Sequence, residues 1–383
     1  MIKFIFWFNF GLIVYIYFGY PLTIAILAKM TKKAPINRAD ITPLVSLLIP
    51  AYNEEKVIKD KLENSLSLDY PKAKLEIIVI SDCSNDKTDE IVGEFRRSGI
   101  KLIRQDKRQG KIAALNRAVP EAKGEIIVFT DANSMYKKDA VKKLVRNFND
   151  ERVGCVCGEL KYTTQGVIAS SAEAGESLYW RYERFIKIQE SRLHSLLIAN
   201  GSIYAIRKEF FLPIDEALAD DFANPMRIAR KGLSVIYEPE AVTVEKASNL
   251  LKEQFRQKVR IMTQGYKASF GLKKEIFSSG FLRIFEFFFH KFLRWFVPFF
   301  LIIIFISNLF LLVQSFYKII FISQFIFYGL ALFGHLFMRQ QNLAKVFYVP
   351  TYFCMVNLAS LIGVLNFFTS TQRVTWAKSK STR

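Results

Sequence analysis

Cysteine is scarce: four in 383 residues, at Cys83, Cys155, Cys157 and Cys354, too sparse for a disulfide framework and not spaced as zinc ligands. Cys155-x-Cys157 reads instead as two residues of a buried strand. Two glycine signatures are also missing. No Gly-x-Gly-x-x-Gly follows a strand pattern and no Gly-x-x-x-x-Gly-Lys-Ser/Thr occurs, which excludes a Rossmann dinucleotide fingerprint and a P-loop. A nucleotide bound by this chain is therefore held by side chains. Acidic residues are few beside basic ones, 35 against 54, giving a formal charge of +19. On a chain that is 51% hydrophobic and 15% aromatic, disorder is excluded, and the charge points to a basic soluble part beside uncharged membrane segments. Nucleic-acid binding would rest on that charge alone, and many of these cations flank membrane runs, so no nucleic-acid partner is expected.

What the sequence does have is long uncharged runs. Phe4–Ala28 carries no charge and exceeds the roughly 20 residues that span hydrocarbon, so residues 1–30 read as a transmembrane helix. A signal peptide with Lys3 as its basic region is the competing reading, but the run is too long and no small-x-small site precedes Lys29. Further runs at Trp295–Tyr317, Ile319–Met338 and Val346–Gln372 predict about three more spans over 295–372, where Pro298 and Pro350 kink or cap them, as Pro21 does in the first. Between lies a domain over 31–270. Lys29, Lys32, Lys33 and Arg38 follow the first span, and Lys291 and Arg294 precede the second, which places this domain in the cytoplasm on the inner membrane. Over 271–294, Arg283, Glu286, His290 and Arg294 form one polar stripe on an otherwise apolar helix, read as lying in the interface with His290 solvated. A basic tail, 373–383, would prefer the inside, whereas four spans would leave it outside.

The domain alternates strand and helix patterns. Apolar runs at Val45–Ile49, Glu76–Ile80, Lys101–Ile103 and Ile126–Thr130 are followed by helical patterns at Glu54–Leu66, Asp86–Arg97, Lys111–Val119 and Lys138–Phe148. This predicts an α/β fold with a mostly parallel sheet, whose ligands bind at the carboxyl ends of the strands. Polar residues fall there: Pro50-Ala-Tyr52-Asn53-Glu54, then Ser81-Asp82-Cys-Ser84-Asn-Asp86, then Asp131-Ala-Asn133. Asp82 and Asp131 should share one rim, where with the Asn133 amide they suit a hard divalent cation that neutralises a diphosphate. Turn formation or helix capping is the alternative for such acids, Asp86 above all. Arg104, Lys107, Arg108, Gly110 and Lys111 open a helix and suit a phosphate, or form a solvated basic loop. Asp220 and Asp221 open another helix; Asp220 reads equally as its N-cap, leaving Asp221 as a general base for a hydroxyl nucleophile. Gln257 and Arg260 share a helix face, where Arg260 suits a leaving diphosphate or anionic lipid. Tyr179, Trp180 and Tyr182 form either a sugar platform or a packing surface against the sheet or bilayer.

Taken in order, Ile49-Pro-Ala-Tyr-Asn-Glu54, Asp82-Cys-Ser84-Asn-Asp86, Gly110-Lys111 with Ala114-Leu-Asn116, Thr130-Asp131-Ala-Asn133, Asp220-Asp221 and Gln257-x-x-Arg260 resemble the membrane-embedded family 2 glycosyltransferases, relatives of cellulose, chitin, hyaluronan and poly-N-acetylglucosamine synthases. The resemblance covers roughly residues 43–265. It implies a GT-A fold, a Rossmann-like mixed sheet, and inverting transfer from a nucleotide sugar, usually a UDP-sugar, with Mg2+ or Mn2+. It also implies a glycan or lipid-linked acceptor at the membrane lipid, with partner proteins of polysaccharide synthesis as further candidates. On this pattern Pro50, Tyr52, Glu54 and Asp82 line the nucleotide and Lys111 the donor. Asp131 meets ribose and diphosphate, and Asn133 faces the metal. Asp221, beside Asp220, is the base, and Arg260 with Gln257 clamps the diphosphate. Two departures stand out: Asn133 where the family often has Asp, and Ile261 where polymerising members have Trp. The first weakens metal binding and the second leaves single-sugar transfer open beside polymerisation. Together they motivate a second reading, a catalytically silent membrane partner that binds UDP or a cyclic nucleotide.

Overall fold

The computed structural model describes residues 1–31, 33–163, 171–246, 251–337 and 345–369. The chain starts with α1 (Ile2–Val14), a π-helical turn and α2 (Tyr20–Met30), one continuous helical rod. The domain then runs β1 (Val45–Ala51), α3 (Ile58–Leu66), β2 (Leu75–Ser81), α4 (Thr88–Glu94), β3 (Ile100–Arg104), α5 (Lys111–Glu121), β4 (Ile126–Thr130), β5 (Met135–Tyr136), α6 (Ala140–Val145) and β6 (Val153–Thr163). It continues through α7 (Ser171–Arg192), β7 (Ile203–Arg207), α8 (Asp220–Arg230), β8 (Ser234–Lys246), α9 (Leu251–Gly271) and α10 (Lys273–Phe277). The helices α11 (Phe281–Glu286) and α12 (Leu293–Leu309), joined by a π-helical turn, α13 (Ser315–Phe337) and α14 (Tyr348–Phe368) complete it.

The central strands are apolar throughout because both of their faces are covered. In β1, Val45, Leu47 and Ile49 point to one face and Leu48 to the other; Ile77 and Val79 against Ile78 and Ile80 repeat this in β2, as do Ile126 and Val128 against Ile127 and Phe129 in β4. The first face packs on Ile58 and Leu62 of α3 and on α6, the second on Ala114, Leu115 and Ala118 of α5. Each such fully buried aliphatic side chain contributes about 1.5–3 kcal/mol. The sheet order is β3-β2-β1-β4-β7-β6-β8-β5. The four strands β3, β2, β1 and β4 are parallel, as is the β6–β8 pair, whereas β7 runs antiparallel to both β4 and β6, and β5 to β8. The sheet is thus mixed and mostly parallel, as expected, and Cys155 and Cys157 are buried in β6.

Among the described residues four helical segments are long and apolar enough to cross a membrane: Ile2–Met30, Phe281–Leu309, Ser315–Phe337 and Tyr348–Phe368. The tail 373–383 lies outside the described residues. The second segment differs from expectation. It begins well before Trp295, and its polar stripe is not solvated but packed inside the protein: His290 is 2% exposed and Glu286 0%. His290 Nδ1 lies 2.5 Å from Glu190 Oε1, its Nε2 3.3 Å from Glu183 Oε2, Lys291 Nζ donates to Glu183 Oε2 at 3.2 Å, and Arg294 donates to Glu183 Oε1. Tyr20 of the first rod donates to Glu190 at 2.7 Å, and Ser195 Oγ to Glu286 Oε1 at 2.6 Å. A one-sided polar stripe fits a protein partner as well as it fits an interface. Here α7 supplies the complementary carboxylates, which a periodicity argument confined to one helix does not see. The aromatics of α7 likewise join the membrane helices. Tyr179 packs against Tyr352, Tyr182 donates to Tyr17 O at 3.1 Å, and the Arg294 guanidinium lies over the Tyr17, Tyr179 and Tyr182 rings.

Candidate active site

The parallel strands β1, β2 and β4 deliver their following residues to one edge. After β1, Asn53 adopts a left-handed conformation at φ 53°, and its side chain exchanges hydrogen bonds with Asn85, donating to Oδ1 at 2.5 Å and accepting from N at 2.9 Å. Asn53 N donates to Ser84 Oγ and Glu54 N to Thr88 Oγ1, so the Pro50–Glu54 turn is stitched to the turn after β2. Asp86 accepts from Thr88 N at 3.0 Å and from Glu55 N at 3.2 Å, so it forms a turn before α4; the N-cap position of that helix is Lys87. Tyr52 is half-buried, with the Arg108 guanidinium 3.9 Å from its ring centre.

Asp82 is 5% exposed and organises the loop between β3 and α5. Its Oδ1 accepts from Gln109 N at 2.7 Å and Gln105 Nε2 at 3.2 Å, and its Oδ2 from Gly110 N at 2.8 Å. Gly110, at φ 97°, turns the chain into α5 in a conformation costly for other residues. That turn sets Lys111 at the first position of the helix.

Lys111 is the centre of a charged cluster. Its Nζ donates to Asp131 Oδ1 at 2.9 Å and lies 3.6 Å from Asp220 Oδ1. Burial disfavours its charged form, but Asp131 and Asp220 outweigh burial and raise its pKa above the usual lysine value. Asp220 is 4% exposed and accepts from Tyr204 Oη at 2.8 Å, which in turn accepts from Asn224 Nδ2 at 3.0 Å. It makes no side-chain cap, since α8 is preceded by Ala219. Asp221 sits beside it, its backbone carbonyl bonded by Ala199 N at 2.8 Å. Burial, and then the Asp220 and Asp131 charges, push Asp221 up to about 7 against the opposing pull of Lys111. Gly201 lies against this group: a Cβ there would stand 3.3 Å from Asp221 Oδ2 and 3.6 Å from Lys111 Nζ.

The structure therefore brings together Lys111 of α5, Asp131 just after β4, and Asp220 and Asp221 of α8, with Asp82 behind the loop that leads to Lys111. Gln257 and Arg260 lie one turn apart on α9, both half-buried, in a helix that packs along α14. Further along α9, Ala268 shares an apolar cluster with Ile112 of α5 and Phe222 of α8, which ties the helix to the elements bearing the acids. Sequence reading missed Gly201, Ser202, whose Oγ lies 3.5 Å from Asp131 Oδ2, and Tyr204. The small polar run Asn200-Gly-Ser202 before an apolar strand was the available signal. Asp131 is 36% exposed at its side chain and Asn133 is half-buried. A carboxylate and an amide oxygen suit a hard cation that draws its remaining ligands from phosphate and water, so this donor set fits Mg2+ or Mn2+. Among the described residues no group of three or more His, Cys, Asp or Glu side chains is arranged to hold a metal without such help.

The family model for glycosyl transferase family 2 matches residues 46–212. A probable glycosyltransferase of Bacillus subtilis (strain 168), YdaM, is 32% identical over 295 residues, covering 72% of this chain and 68% of that protein. The poly-beta-1,6-N-acetyl-D-glucosamine synthase of Staphylococcus aureus (strain COL) is 25% identical over 272 residues, 70% of this chain and 63% of the synthase, so the match spans less than two thirds of its length. Among solved structures, the mannosyltransferase PcManGT from Pyrobaculum calidifontis, in complex with GDP-Man and Mn2+, superposes with a TM-score of 0.70 at 22% identity, over 97% of this chain and 100% of that one. The shared fold is GT-A.

Proposed function

The chain belongs to glycosyl transferase family 2, and from that premise we propose that it moves one sugar from a nucleotide-sugar donor to a hydroxyl of a glycan or lipid-linked acceptor, with inversion, at the cytoplasmic face of the inner membrane. The observation that carries this reading is the convergence of Lys111, Asp131, Asp220 and Asp221 on one sheet edge, in a chain whose helices Ile2–Met30, Phe281–Leu309, Ser315–Phe337 and Tyr348–Phe368 are long and apolar enough to cross a membrane. The site needs no covalent intermediate, only a base on one side of the anomeric carbon and charge neutralisation on the other.

In the proposed reaction the Asp221 carboxylate takes the acceptor hydroxyl proton as that oxygen bonds to the anomeric carbon. The bond from that carbon to the diphosphate breaks, and the nucleoside diphosphate leaves with the electron pair. Asp220, held by Tyr204 and near Lys111, keeps the local charge that raises Asp221 toward neutrality, where a base is most useful. Tyr52, Pro50, Glu54 and Asp82 shape the nucleotide end, Asp82 through the loop it organises. Lys111 meets the donor, and Arg260 with Gln257 faces the leaving diphosphate. Asp131 and Asn133 would hold Mg2+ or Mn2+, whose chemistry there is neutralisation of the diphosphate. The Mn2+ in the PcManGT structure supports a divalent ion in this fold. PcManGT was solved with GDP-Man, and the Staphylococcus aureus relative is a poly-beta-1,6-N-acetyl-D-glucosamine synthase, so both GDP and UDP donors merit testing.

The test is nucleoside diphosphate release by the full chain in lipid nanodiscs, across UDP- and GDP-sugars, with membrane-lipid extract as acceptor. Release with one donor, abolished by EDTA and restored by Mn2+ or Mg2+, is expected. Nucleotide binding without release from any donor would instead favour the silent-partner reading.

A further inference from the structure

Lys61, on α3, is 0% exposed. Burial pushes its pKa down to about 7, and a buried lysine head is costly in either form unless its donors are used, so a Met or Leu would fill the same space more cheaply. Here they are used on one short segment. Nζ donates to Thr130 Oγ1 at 3.0 Å and to the Ser134 carbonyl at 2.5 Å, and it stands 4.3 Å from the Tyr136 ring centre. Those two contacts bracket Asp131-Ala-Asn133. Thr130, Ala132 and Ser134 are buried, at 0%, 2% and 0% exposure, while Asp131 and Asn133 between them are not, so the segment alternates between an anchored inner side and an outer side bearing oxygen ligands. Ser134 N closes the turn on Asp131 O at 3.2 Å, and Ser134 Oγ donates to Glu245 Oε1. One helical turn beyond Lys61, Asn64 grips the backbone of Tyr136 on both sides, donating to its carbonyl and accepting from its N–H, each at 2.8 Å.

We propose that Lys61 is a positioning residue for the donor side of the site: from behind the sheet edge its Nζ pins both ends of the Asp131–Asn133 turn and fixes the spacing of the two oxygen ligands. Neither end needs to be held this way for the sheet to form, since β4 already pairs with β1 and β7 on both sides and β5 pairs with β8. The inference rests on the reading of Asp131 and Asn133 as the residues that meet the donor diphosphate and its cation. Groups that orient metal-binding residues typically contribute 10–100-fold to affinity or activity when removed.

The experiment uses the full chain in nanodiscs and whichever of UDP and GDP the wild-type protein binds, with Mn2+ titrated. Lys61→Met keeps the length and removes the donors; Thr130→Val removes one acceptor alone and serves if the first variant does not fold. Asp131→Asn is the control for the underlying reading. Lys61→Met should weaken Mn2+-dependent nucleotide binding by about 10–100-fold and move the Mn2+ midpoint upward. The larger effect should fall on donor KM rather than on kcat, as removal of donor binding requires. Thr130→Val should move the same quantities in the same direction by less, and Lys61→Arg should restore part of the loss. A purely structural lysine would lower the thermal midpoint while leaving KM and the Mn2+ midpoint at wild-type values well below it. Wild-type KM and Mn2+ midpoint in Lys61→Met and Thr130→Val, with binding lost in Asp131→Asn, would overturn the role of Lys61. Unchanged binding in Asp131→Asn would overturn the reading of the turn itself.

Discussion

Replacing Asp221 by Asn should separate chemistry from stability in opposite directions. The amide cannot take a proton, so transfer should fall by about 10²–10⁴-fold, the usual contribution of a general base, while nucleotide affinity stays near wild type. With Asp221 at about 7, the wild-type rate should rise with pH through that value and level off above it, dropping about tenfold per pH unit below. The sign for stability is the reverse. An Asp whose folded-state pKa lies above its unfolded value of about 4 binds its proton more tightly in the folded protein, so ionising it as pH rises from about 4 to 7 costs stability. The rise to about 7 corresponds to on the order of 4 kcal/mol above neutrality. Asp221→Asn should therefore unfold at a higher temperature than wild type at pH 8, with the difference closing toward pH 4. Donor-nucleotide release from pH 5 to 9 and thermal unfolding of both proteins over pH 4 to 8 are the measurements. A flat rate profile between pH 5.5 and 8.5, or a variant retaining a tenth of the wild-type rate, would refute the assignment of the base.

Three further outcomes follow from the geometry. Gly201→Ala places a methyl 3.3 Å from Asp221 Oδ2, which should lower transfer about tenfold with nucleotide affinity unchanged in a titration. Arg260→Lys keeps the charge but loses the planar fork, and should reduce kcat about tenfold while thermal unfolding is unmoved. Glu183→Ala leaves Lys291 and Arg294 without their buried carboxylate, which should destabilise the protein by about 3–5 kcal/mol, seen as a lowered unfolding midpoint in nanodiscs.

How much of this was legible in the sequence depended on whether a signal was local. The runs at Val45, Glu76 and Ile126 fell on β1, β2 and β4 because parallel strands covered on both faces are largely apolar, and the short run at Lys101 fell on β3, the half-exposed edge strand. The polar residues after them had to share an edge once the strands were parallel, which is why Asp82, Asp131 and the Lys111 loop could be placed together. Helix starts other than that of α5 at Lys111 were read too early: the pattern from Glu54 becomes a helix only at Ile58, since the Asn53–Glu54 backbone is occupied with Ser84 and Thr88. Relations between distant segments were not legible. Asp82 looked like a ligand contact, yet its carboxylate is filled by the loop after β3; Lys61, inside the helical pattern Glu54–Leu66, drew no reading at all; and the stripe of Arg283, Glu286, His290 and Arg294 gave its period but not its partner. Each depends on a residue from 23 to more than 100 positions away, beyond what periodicity or spacing encodes.

The polar seam between α7 and the helix that continues into α12 bears on how this protein can be made. A translocating segment with Glu286, His290, Lys291 and Arg294 in its first turns is poorly suited to the bilayer on its own, and it acquires suitable surroundings only when Glu183 and Glu190 arrive from a folded domain. Membrane insertion and folding of the sugar-transfer half are then steps of one process. Synthesis order favours this, because α7 leaves the ribosome about a hundred residues before its partners. A soluble excision ending near residue 270 would leave two buried carboxylates facing water with the faces around them stripped, so the practical unit for study, and for selection in the cell, is the anchored chain.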